Sequence, residues 1–170
     1  MFAAGPYEIV HERIPPGSSG GSMLPDLKEV NLLEEASDLL GFKYLSAATP
    51  PEPDGVWPVE GALYGPCQRP LVCLPTQLRP DMPCKQVIFL VDTGAPISEL
   101  SPSAFRALGS DAVPPRATRG IVNGVHCKLQ LCAQDGNHPD MPVLGADYLT
   151  KMNGVLTINY KLSTFSIARA

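Results

Sequence analysis

Near residue 56 the apolar positions of this chain change their spacing, from a helical rhythm to short runs of the kind that build strands. Before that point the pattern predicts one helix, from Asp26 to Leu40. Leu27, Val30, Leu33, Ala36 and Leu40 recur every three or four residues, so one face of it seeks burial. Asp26 is placed to cap its start, Glu29 follows three residues later as in a capping box, and Gly41 closes its end. After the change, apolar runs between turn residues predict strands at Val59–Leu63, Leu71–Leu74, Val87–Val91, Ile121–Leu131, Gly154–Tyr160 and Thr164–Ile167. Two helical patches interrupt them: Ser101–Leu108, opened by Ser-Pro, and Asp147–Met152. No internal repeat is visible. The elements define a mainly β protein, a compact sandwich or small barrel with a helical extension in front.

Breakers divide the chain. Residues 1–25 are rich in Pro, Gly and Ser and have the character of a flexible leader, and a second breaker runs from Thr49 to Pro58. The expected organisation is a flexible acidic N-terminal extension over 1–55, with its helix at about 26–40, and a folded domain over 56–170.

Composition limits what such a chain can do. Its 170 residues are 44% hydrophobic and 18% charged, with 19 Pro and 15 Gly, ordinary for a soluble domain but rich in turns. The net charge is −4, with ten acids against three Lys or Arg in residues 1–60 and seven against ten afterwards. No basic block is present to follow a phosphate backbone, so no nucleic-acid partner is expected. No apolar stretch approaches the roughly 18 residues of a membrane span, and the N-terminus lacks the basic and apolar regions of a secretory signal. A cytoplasmic protein without a membrane partner is the expectation. Cys67, Cys73, Cys84, Cys127 and Cys132 are an odd set without a C-x-x-C pair, which fits reduced, buried thiols. His11, His126 and His138 are scattered, so neither a metal nor a cofactor is called for.

The candidate chemistry lies at the end of one strand. Five apolar residues, Val87 to Val91, deliver Asp92 into the turn Thr93-Gly94-Ala95. A carboxylate carried to the edge of a core needs partners or a shared proton. Thr93 offers a hydroxyl, and Gly94 lets backbone approach the carboxylate. Asp135, in Gln134-Asp135-Gly136, has turn composition, and Asp147, near a helix start, is placed as a cap.

These residues resemble the retropepsin-like aspartic peptidases of retroviruses, retrotransposons and their cellular relatives. The likeness begins at Asp92-Thr93-Gly94-Ala95. It continues at Pro142–Leu149, which looks like the family's second hydrophobic-Gly element, with Leu144 and Gly145 at its centre, followed by a short helix and a final pair of strands. Arg119–His126 sits where the family carries its β-hairpin flap, so the resemblance assigns Gly120, Ile121, Val122, Asn123 and Gly124 to flap and substrate contact. Asn123-Gly124 is equally a plain hairpin turn. The resemblance covers about Val56 to Ala170 and implies an acid-protease half-barrel with a short C-terminal helix. Pro96 and Ala146 stand where retroviral members commonly hold an acid and an Arg, so that ion pair is absent from both ends.

The implied activity is peptide hydrolysis by two close carboxylates sharing one proton, with an acidic to mildly acidic optimum. Only one Asp-Thr-Gly is present, so the second acid would come from another copy of the chain across a two-fold axis. In the family the terminal strands interleave at that seam, which gives Thr164–Ile167 an interface role and lets Thr93 brace the paired loops. The substrate would be an extended peptide or protein. The alternative is a catalytically silent dimerisation or peptide-binding module on the same fold.

Overall fold

A computed structural model describes residues 27–110, 116–132 and 140–170. Asp26, Asp135, His11, His138 and the leader lie outside the described residues. The helix expected as one piece is two, α1 (Glu29–Leu33) and α2 (Glu35–Leu40), separated at Glu34 by a non-helical backbone of φ −115° and ψ −93°. The buried side chains of this stretch are Leu27, Leu32, Ala36 and Ser37, while Val30 and Leu33 are each 51% exposed. The regular stripe through Val30 and Leu33 therefore does not form. Of the expected capping pair, only Glu29 lies within the described residues. The backbone N–H of Lys28 donates to Asn31 Oδ1 at 2.9 Å, and the Glu29 carboxylate accepts the hydroxyl of Ser103. Gly41 does end α2, in the left-handed region at φ 72°. Leu27, Leu32, Ala36 and Tyr44 join the same core as the strands that follow.

Those strands are β1 (Val59–Tyr64), β2 (Arg69–Gln77), β3 (Lys85–Val91), β4 (Glu99–Leu100), β5 (Ala117–Val122), β6 (Val125–Leu131), β7 (Val143–Leu144), β8 (Gly154–Asn159) and β9 (Thr164–Arg169). Helices α3 (Pro102–Ala107) and α4 (Ala146–Lys151) interrupt them, with Ser101 capping α3 through its hydroxyl. The fold is mainly β. The run expected over Ile121–Leu131 is a hairpin, because Asn123 and Gly124 both have positive φ, 42° and 77°, the geometry of a two-residue turn. The two-residue strands β4 and β7 are too short to leave a periodicity in the sequence.

The pairing order β3-β7-β4-β6-β5-β2, with β2 returning to β3, makes a ring of six strands whose β4–β7 and β2–β5 seams are short. Closure explains why Val87, Ile88 and Phe89 are all fully buried rather than alternating. From β2 the sheet continues outward through β1 and β9 to β8. Strand β9 is hydrogen-bonded on one side to β1 and on the other to β8. Thr164–Ile167 thus has no edge left for the interleaving that the family resemblance implied. Among the described strands the outermost of this extension is β8, and Val155, Ile158, Tyr160 and Leu162 on it and its turn are 43–68% exposed.

Candidate active site

The site is built where β3 ends. Parallel pairing of Leu90 with Val143 and Val91 with Leu144 carries β3 and β7 side by side to the same end of the ring. Asp92 prolongs that ladder by one bond, its N–H donating to the Leu144 carbonyl at 3.1 Å. The chain then turns: Ala95 N–H returns to the Asp92 carbonyl at 3.1 Å, and Gly94 N–H donates to Asp92 Oδ1 at 2.8 Å. An aspartate that folds its own loop in this way presents a fixed carboxylate. It is half-buried, while Thr93 and Gly94 are exposed. Among the described residues the Asp92 carboxylate makes no other hydrogen bond or ion pair, and the Thr93 hydroxyl makes none. The loop tip therefore offers an anchored acid and a spare hydroxyl toward solvent.

A second segment locks this loop from behind. Ala146 N–H donates to the Ala95 carbonyl at 2.8 Å, and Gly145 N–H donates to the Ser98 hydroxyl at 3.0 Å. Ser98 is fully buried, and its hydroxyl donates onward to Asp147 Oδ1 at 2.7 Å. The same carboxylate oxygen accepts the Tyr148 N–H at 2.8 Å. Gly145 is the N-cap of α4, so Asp147 is not the cap that its sequence position suggested; it ties α4 to the Asp92 loop. Gly145 itself is dictated by proximity, since a Cβ there would lie 2.7 Å from the Ile97 carbonyl carbon and 2.8 Å from the Ala95 oxygen. Leu144 beside it is fully buried. The structure thus brings together Asp92, Thr93, Gly94, Ala95, Leu144 and Gly145, and adds Ser98 and Asp147. No local pattern marks those two as partners.

The residues assigned to a flap form the end of the β5–β6 hairpin. Asn123 is 3% exposed, its N–H donates to the Pro75 carbonyl at 2.8 Å, and its side-chain amide donates to the Val56 carbonyl at 3.0 Å. Gly124 is covered so closely that a Cβ would fall 2.3 Å from the Glu52 carbonyl oxygen. The Val122 carbonyl accepts the Tyr148 hydroxyl at 3.0 Å, and Gly120 is packed under Leu129. Ile121 is half-buried in the Gln77 register of β2. Gly120–Gly124 is a hairpin end held in the body by the 52–56 segment, not a free lid.

Three of the cysteines are disfavoured as nucleophiles. Burial pushes the Cys73, Cys127 and Cys132 thiols each up to about 12, which keeps them protonated and unreactive near neutrality. Burial also raises the Glu99 carboxyl on β4.

Among solved structures, the chain is similar to a retropepsin-like aspartic protease from Rickettsia conorii, at 15% identity and a TM-score of 0.43, over 65% of this chain and 89% of that one. No protein-family model matches the chain. No curated protein matches it either.

Proposed function

We propose that this chain is one half of an aspartic endopeptidase, completed by a second copy that supplies its own Asp92. The observation that carries this reading is the anchored carboxylate of Asp92, held at Oδ1 by Gly94 N–H and left without another partner at a solvent-facing loop tip. A lone carboxylate there has little to gain from folding alone. Set against its twin, it can share one proton, because two like charges so close cannot both ionise. The ionised member then takes a proton from water, which attacks the scissile carbonyl. The protonated member polarises that carbonyl and afterwards protonates the departing amine. The pair titrates as a unit, and its working range is acidic. An extended peptide is the substrate class, read by backbone contacts along the seam.

The β8 edge is the surface that best suits the second copy. An edge that no other described strand pairs, with exposed Val155, Ile158, Tyr160 and Leu162, invites pairing with a like strand. Its position is suitable too, since α4 links it to the Asp92 loop through Ala146 and is about 9 Å long at 1.5 Å per residue. A two-fold β8–β8 contact would be isologous, as closed dimers require.

The test compares wild type with Asp92→Asn on a denatured protein substrate near pH 5. Fragments from wild type and none from the variant support the peptidase. Equal silence from a confirmed wild-type dimer would instead favour a peptide-binding module on this fold.

A further inference from the structure

The outer face of the β5–β6 hairpin carries a second feature, unrelated to Asp92. Arg119, His126, Lys128 and Lys151 line an open depression of about 740 Å³, and among the described residues no carboxylate is in its lining. Arg119 and Lys128 are directly opposite each other in the antiparallel register, and both are exposed. Like charges placed so are mutually repulsive and give the sheet nothing. Among the described residues none of these four side chains has an ion-pair partner. Asp147, one helical turn before Lys151, is already engaged by Ser98 and the Tyr148 N–H. A concentration of cations is the more telling in a chain whose net charge is −4.

We propose that this trough docks an extended peptide segment bearing carboxylates at alternate positions. Spacing favours such a ligand. His126 and Lys128 are two residues apart on one strand and both exposed, so their side chains leave the same face about 6.8 Å apart. Side chains at alternate positions of an extended peptide share that repeat. Arg119 widens the track across the hairpin, and Lys151 on α4 closes one side of it. A nucleic-acid backbone asks for a longer basic track than these residues supply. Where the peptidase reading holds, an acidic stretch of substrate held here would place neighbouring residues at the other end of α4, beside the Asp92 loop. That last step rests on the proposed function, whereas the docking itself does not.

The experiment is fluorescence anisotropy with the full chain and a labelled, alternating Glu-Thr octapeptide, read without any cleavage assay. Wild type and Asp92→Asn should bind it saturably and equally, and raising the salt should weaken binding. The double variant Arg119→Gln/Lys128→Gln should weaken it by on the order of tenfold, since two exposed charge contacts are lost. Lys128→Arg should retain binding, which separates loss of charge from loss of fold. The proposal is overturned by absence of saturable binding, by equal binding of an alternating Lys-Thr octapeptide, or by a double variant that binds like wild type. Inorganic phosphate that displaces the peptide at matching concentration would also overturn it, by marking a single-anion site. Loss of cleavage in Asp92→Asn with docking unchanged would keep the two conclusions separate.

Discussion

The Ser98 hydroxyl donates to the Asp147 carboxylate at 2.7 Å across 49 residues of chain, and with Gly145 N–H it forms the clasp behind the Asp92 loop. Both ends of the clasp lie in segments that the Asp92 ladder has already brought together, at Leu144 and at Ala95. Ser98→Ala would leave the buried Gly145 N–H without its acceptor, at a cost of about 1–3 kcal/mol. Asp147→Asn keeps an oxygen to accept the same two bonds and should cost less. Thermal denaturation checks the order. In the peptidase assay the Ser98 variant should lose kcat more than KM, because the clasp orients the acid rather than contacting substrate.

Gly145→Ala tests the close approach of the two segments. The added methyl has backbone atoms of Ala95 and Ile97 within 2.8 Å, so either the loop or α4 must shift. Overpacking of this kind costs about 1–3 kcal/mol. We expect a lower melting temperature and a marked loss of cleavage. A variant as stable and active as wild type would show that the loop is not so tightly held.

Association should depend on β8 rather than β9. Ile158→Lys places a charge on the exposed edge strand, and Leu162→Lys places one on the adjoining turn, where Leu162 is 65% exposed. Sedimentation should show the double variant shifted toward monomer at concentrations where wild type is dimeric, with cleavage falling in parallel. An unchanged mass would move the seam elsewhere.

The cysteines give a pH-dependent readout. Cys67 is exposed, whereas Cys73, Cys84, Cys127 and Cys132 are buried. With iodoacetamide near pH 8, Cys67 should react first. A thiol at about 12 is ionised to roughly one part in ten thousand at that pH, so Cys73, Cys127 and Cys132 should react only after unfolding. These groups hold their protons in the folded chain to higher pH than the ordinary value of 9.0 in the unfolded one. Their contribution is intact below about pH 9 and declines as pH rises toward the folded value of about 12. Mass spectrometry of alkylated protein and denaturation across alkaline pH check both points.

What was legible in the amino-acid sequence is what short stretches decide alone. The Val87–Val91 run that ends on Asp92, the Asn123-Gly124 turn, the Ser101 start of α3 and the Gly41 stop of α2 all follow from local backbone and side-chain chemistry. Tertiary structure decided which of those features meet. It selected Leu32 over Leu33 for burial, broke the helix at Glu34, and closed the 52–56 segment over the hairpin end. It placed β9 between two strands and left β8 outermost among the described strands, and it joined Ser98 to Asp147. The physical reason is range: hydrogen bonds and burial between residues tens of positions apart leave no periodic trace in the chain, so only the folded ring defines which edges, hydroxyls and carboxylates remain available.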